Sequence, residues 1–537
     1  MLTVLAGGRV VDPANNRDAV GDVWIEDGRV VAPDPGRAPD ERLDATGLVV
    51  LAGAIDVHSH IAGANVNTAR LLLPELRDTP AADCVPVSET VGRLYAQMGY
   101  TLVVEPAIPP NHAVQAQMEL AEIPHIDRAI LAVLGNEDFL MDLLRRGEGE
   151  AAVADYAGRA LAGAKALGVK TINPGGAVAF RENARSFGLD DEVPGYGVSQ
   201  RRIVEALQGA VDRLGLPHPL HLHCANLGTP GNVETALDTI RGTAGRRVHL
   251  AHLQFYAYGT EGPQRFSSAA ARLAEAVNGS EHLTVDVGQV MFGQTVTVSC
   301  DVLRQFGARD VASPRKYAIT DSEMQGAGIV PYRYRRTSFH NAVQWAAGLE
   351  LFLLIADPWR VLLTTDHPNG APFTAYPDLL ALLMDRDLRA QWIATLPADA
   401  MAVTTLPGIA REYNWPEIAA MTRAAPARLL GLADRGHLAP GAIADVVAYR
   451  PQPDKAAMFR APAYVFKRGT VIARDGAMVG PAAFGDVLSA RPGFDRQIEG
   501  RLERFYEDIY GVSPARFDVV ESVLPRQGSF VDVPCRR

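Results

Sequence analysis

The segment AIDVHSHIAGANVN closes an apolar run with two histidines, His58 and His60, one residue apart. Side chains at i and i+2 of a strand share a face, so the two imidazoles lie side by side where a strand meets a polar loop. A core accommodates one neutral histidine easily, but two adjacent ones need partners. Coordination of one metal ion is the chemistry such a pair offers; a satisfied core pair is the plain alternative. Other polar residues recur at the ends of apolar runs: Lys170 in GVKTINPG, His223 in PLHLHCAN, His252 in RRVHLAHLQ and Asp366 in RVLLTTDHPNG. Imidazole and carboxylate donors without a thiolate cluster suit Zn²⁺.

Neighbouring histidines compete for these roles. His221 shares a strand face with His223, which is preferred because it lies nearer the strand end and the polar ANLGTPGN loop. His249, three residues before His252, is expected on the opposite face by strand alternation, in a structural role, and His367 is expected to point away from Asp366. His112, His125, His218, His282 and His437 have no ligand context. Asn67, Arg70, His340 and Asn341 are open between pocket lining and surface. Lys170 is the odd member, since an ammonium repels metal cations and is costly to bury unpaired. Either it points to solvent, or CO₂ carbamylates it into an anionic ligand able to bridge two metals.

The elements that must carry these residues alternate. Eight short apolar runs (GAIDVHSH, GYTLVVEPA, AILAVLGN, GVKTINPG, PLHLHCAN, RRVHLAHLQ, HLTVDVGQ and RVLLTTDHPNG) are separated by stretches of helical spacing such as VGRLYAQM and YAGRALAGAKAL. That alternation predicts an α/β fold, a (β/α)8 TIM barrel, in which chemistry gathers at the C-terminal ends of the strands. Every candidate above falls there. β-rich segments at both ends, with Asp27-Gly28 as a hairpin signal, predict a small β-sandwich formed from both termini. The expected organisation is 1–52 and 431–485 for the two parts of the sandwich, 53–430 for the metal-dependent barrel, and 486–537 for a C-terminal tail containing the amphipathic RQIEGRLERFYEDIY. The connection from about 300 to 357 reads as an insertion, of the kind that forms lids or docking surfaces.

Bulk properties narrow the function. The 537 residues are 47% hydrophobic and 21% charged, ordinary for a globular protein larger than one core fills. A net charge of −10 without a basic run argues against nucleic acid and anionic membranes. There is no apolar run of transmembrane length, and the opening MLTVLAGGRVVD lacks the pattern of a signal peptide. Cys84, Cys224, Cys300 and Cys535 are scattered, as reduced thiols of a cytoplasmic protein would be.

Together, DVHSH after a β-rich start, a lone lysine in the fourth strand, later single histidines, an Asp in the eighth strand and the return RAAPARLLGLADRGHLAPGAIADVVAY resemble the amidohydrolase superfamily. Within it, DVHSHIAGANVN, VKTINPGG, PLHLHCANLGTPGN, VHLAHLQFYAYG and TTDHPNGAPFTAYP resemble the A-type subunit of formylmethanofuran dehydrogenases, from residue 56 to about 377. The resemblance implies an amidase acting on the N-formyl group of formylmethanofuran in one-carbon metabolism, with two Zn²⁺. It implies His58, His60, His223 and His252 as ligands, carbamylated Lys170 as the bridge, and Asp366 as both ligand and general acid/base. Relatives serve a tungsten or molybdenum dehydrogenase in methanogenic archaea, or a formyltransferase/hydrolase complex in methylotrophic bacteria. The Ala- and Arg-rich composition and LLLPEL favour the bacterial setting. The competing readings are a cyclic amidohydrolase of dihydropyrimidinase or hydantoinase type, using the same strand positions, and a non-catalytic scaffold component of a complex.

Overall fold

In the computed structural model, residues 1–73, 88–182, 184, 187–262, 264–299, 320–322, 327–523 and 528–536 are described. Cys84, Cys300, part of LLLPEL and much of the expected insertion lie outside them.

Eight strands run parallel in chain order: β1 (Ala54–Asp56), β2 (Tyr100–Ile108), β3 (Asp127–Val133), β4 (Gly168–Ile172), β5 (Leu220–His223), β6 (Val248–Leu250), β7 (Leu283–Asp286) and β8 (Val361–Leu362). Each pairs with the next. The ring closes just beyond the strands: Ser59 and His367 form a parallel bridge, the His60 N–H donates to His367 O at 2.8 Å, and Thr364 Oγ1 donates to His58 O at 2.6 Å. Strands buried on both faces read as continuous apolar runs, which is why DRAILAV and its counterparts were legible as strands. Helices such as Glu150–Ala164 and Gln200–Arg213 cover the outside. The second begins at Ser199, whose hydroxyl accepts from the Arg202 N–H at 3.2 Å.

The connection between β7 and β8 departs from the expectation of a plain insertion. It holds a small antiparallel sheet, in which Gly293–Ser299 and Thr320–Ser322 both pair with Ala327–Tyr334, followed by the buried helix Phe339–Leu354, which belongs to the barrel's own outer layer. That helix is apolar around most of its circumference, so its sequence carries no amphipathic stripe.

Strands from both ends of the chain form a second, nine-stranded sheet. Val49–Ala52 pairs with Val446–Tyr449, joining the N-terminal and C-terminal segments around a core that includes Val10, Ile25, Val50, Val446 and Phe466. The Asp27-Gly28 turn has φ of 50° and 77° and links Glu26 to Arg29, as a two-residue hairpin requires. The two sheets meet at the N-terminal end of β3. There Asp127 is completely buried, with Lys467 Nζ donating to it at 2.9 Å and Arg435 Nε at 3.1 Å. Beyond residue 486, Gln497–Tyr510 is helical over the amphipathic segment, and Val487–Ala490 and Phe530–Val533 add two parallel strands to the barrel sheet.

Candidate metal centre

The six expected donors converge at the C-terminal mouth of the barrel. Asp366 Oδ1 lies 3.1 Å from His58 Nε2 and 3.2 Å from His60 Nε2. Lys170 Nζ is 3.1 Å from His58 Nε2, and the residue is 1% exposed, which removes the solvent-facing option. His223 Nδ1 and His252 Nε2 are 2.9 Å apart, and the His252 ring is 5.2 Å from that of His58. His58, His252 and Asp366 each bring a ligand atom within 4.8 Å of the others. Burial, above all, lowers His252 well below the ordinary histidine range, the direction that favours the neutral form a metal ligand needs. Burial opposes ionisation of Asp366, but His58 and then His252 outweigh it and hold the carboxyl well below its ordinary range. His60 is pushed up to about 9, burial being overcome by Glu105 and then Asp366. A buried set of imidazoles around a carboxylate and an amine fits a cation-binding centre and has no comparable use as apolar core.

Two carboxylates missed at the sequence level orient this set. Glu105, in β2, takes the His60 Nδ1–H at 3.1 Å through one oxygen and the N–H groups of Ile61 and Ala62 through the other. Asp286, at the end of β7, accepts from His58 Nδ1 at 2.9 Å, from His249 Nε2 at 3.1 Å and from the His252 backbone N–H at 2.7 Å. Glu105 and Asp286 leave the Nε2 atoms of His60 and His58 facing Asp366, the usual outer support of a metal-bound imidazole. An acidic residue closing an apolar strand, VVEPA or LTVDVG, was the available signal. His58, His221 and Asp286 form a second close triad, but it is occupied by these hydrogen bonds.

His249 corrects the alternation argument. It points into the barrel, its ring 4.6 Å from that of His221, in the layer beneath the donors. The reason is that β6 ends at Leu250 and His252 adopts a left-handed φ of 33°, so the face cannot be counted from one to the other. His218 joins the same layer through His221, 3.2 Å away. His221 lies deeper than His223, against His58 at 3.1 Å. His367 turns from the donors and accepts from the Phe373 N–H at 3.2 Å; burial, then His60, lowers it to about 3. Arg70 is buried rather than superficial, donating to Asn67 Oδ1 and Ile61 O, while Asn67 donates to Glu119. Asn341 is held by Tyr332, and the His340 ring packs against Phe266; neither is brought to the donors.

The barrel and its mouth of histidine, lysine and aspartate define a class, the metal-dependent barrel hydrolases, and the chain belongs to the amidohydrolase family, whose profile matches residues 41–473. It is 50% identical, over 100% of both chains, to the A-type component of the formyltransferase/hydrolase complex Fhc of Methylorubrum extorquens. It is 37% identical to the FwdA protein of Methanocaldococcus jannaschii, over 91% of this chain and 90% of that one. The crystal structure of the FhcABCD complex from Methylorubrum extorquens with methylofuran contains a chain that superposes with a TM-score of 0.94, at 50% identity over 100% of both chains. N-acyl-D-glutamate deacylase of Bordetella bronchiseptica, at 16% identity and a TM-score of 0.50 over 89% of this chain and 98% of that one, shares the fold alone. Among the described residues no helix is long and apolar enough to cross a membrane.

Proposed function

We propose that this chain hydrolyses the N-formyl amide of a formylmethanofuran-type carrier to formate and the free amine, as the A-type component of a formyltransferase/hydrolase complex. The observation that carries the reading is Asp366, set within 3.2 Å of both Nε2 atoms of the paired histidines, in a chain that matches the methylofuran-associated relative from end to end. His58, His60, His223, His252 and Asp366 would hold two Zn²⁺, with Lys170 carbamylated between them. Bound there, the metals would acidify a water and polarise the formyl oxygen.

The chain's own residues do the rest. Asp366 takes the proton of the attacking water and passes it to the departing nitrogen, which leaves poorly as an anion. Glu105 and Asp286 keep the imidazoles in one tautomer. The complete donor set argues against a scaffold role. The free thiols of Cys224 and Cys535 suit a cytoplasmic site of action.

The test is formate release from N-formylmethylofuran by the zinc-loaded complex, beside an Asp366→Asn variant. Release by the wild type, lost in the variant with zinc content unchanged, is the expected result. Turnover by a fully loaded Asn variant would remove Asp366 from the proton-transfer role, and no release by the loaded wild-type complex would remove the substrate.

A further inference from the structure

Tyr334 ends the strand Ala327–Tyr334 and is 2% exposed. Among the described residues its hydroxyl has no hydrogen-bond partner. Tyr332, two residues earlier, is by contrast paired with Asn341 Nδ2 at 3.0 Å. A buried hydroxyl without a partner destabilises the fold it belongs to and calls for a reason.

The position of the small antiparallel sheet that carries it supplies one. Gly293 pairs with Tyr334, and Thr295 with Tyr332. Thr295 Oγ1 donates to Pro368 O, and the Val298 N–H donates to Asn369 Oδ1 at 2.7 Å. The Asn369 N–H in turn donates to Asp366 O at 2.6 Å. The small sheet is therefore clamped to the turn that begins at Asp366. Through these pairings the two tyrosines share the face whose Thr295 reaches Pro368. Burial above all keeps the proton on Tyr334.

We propose that the Tyr334 hydroxyl donates a hydrogen bond to the carbonyl oxygen of the amide substrate, the atom that gains negative charge as the amide is attacked. The proton stays on Tyr334; the residue stabilises charge and transfers nothing. A neutral donor fixed in a dry site needs no reorganisation when that charge appears. The proposal rests on the amide-hydrolysis reading above and adds to it the residue that receives the oxygen.

Tyr334→Phe removes only the unpartnered atom. In the zinc-loaded complex we expect formate release to fall on the order of 10²- to 10³-fold in kcat, with zinc content unchanged, KM moved far less, and Tm unchanged or raised. Unchanged kcat overturns the proposal, and so does a fall in Tm accompanied by loss of zinc, which marks a structural hydroxyl. Affinity for methylphosphonate, a small tetrahedral oxyanion, separates this proposal from the choice of substrate. A drop of about tenfold or more in the Phe variant supports Tyr334 even if wild-type complex releases no formate from the formylated carrier, given that an oxyanion contact strengthens on charge. Equal affinity overturns it.

Discussion

His58 and Asp286 stand 228 residues apart in sequence and 2.9 Å apart at the centre of the barrel. The same carboxylate holds the backbone N–H of His252, so one side chain fixes two donors from different strands. Asp286→Asn keeps the size and removes the charge, and its amide cannot accept from all three groups at once. Zinc affinity should fall about 10- to 100-fold, measured by competition with a chelator. Unchanged affinity would show that Asp286 serves the core alone.

Lys170 is buried with its amine 3.1 Å from His58 Nε2, a place where an ammonium would exclude metal. The proposed carbamylation would resolve the conflict by reversing the charge. Zinc-free protein reconstituted in CO₂-depleted buffer should recover little activity, and addition of bicarbonate should restore it. Lys170→Ala should lose zinc under both conditions. Equal recovery with and without bicarbonate would count against the modification.

Asp127 lies at the other end of the barrel, between Lys467 and Arg435, which are 3% and 6% exposed in their side chains. Burial opposes its charge, but Lys467 and then Arg435 dominate and hold the carboxyl well below its ordinary range. Asp127→Asn removes one carboxylate from a pair of buried cations, Lys467 keeping Asp445 at 2.6 Å and Arg435 keeping Asp434 at 2.8 Å, and should cost roughly 1–3 kcal/mol in unfolding free energy. The sign with pH follows from the lowered folded value: the contribution is fully present above the ordinary carboxylate range and is lost as pH falls below about 4. Urea unfolding across that range should show the wild type losing more stability on acidification than the variant does.

Much of the fold and the site is legible in the residues alone, for specific reasons. A parallel strand buried on both faces must be apolar throughout, so AILAVLGN and HLTVDVGQ stand out, and the pairing of His58 with His60 follows from the two-residue period of a strand. Local patterns mislead where the backbone leaves regular geometry. His249 is assigned to the wrong face by alternation because His252 sits in a left-handed conformation beyond the strand. Phe339–Leu354 disappears into an apparent insertion because a fully buried helix shows no polar stripe. Phe530–Val533 goes unnoticed because a strand added to a sheet edge from a distant tail has no local pattern to announce it.

The sequence by itself determined which residues are candidate donors, their order along the chain and their places at strand ends, since these depend on residue type and local periodicity. Only the tertiary structure decided which imidazole faces Asp366, which carboxylate holds each one, and that Lys170 is buried. Those relations arise from closure of the barrel. It brings β1, β4, β7 and the turn after β8 onto one axis, and no local pattern encodes the distance between residues so far apart in the chain.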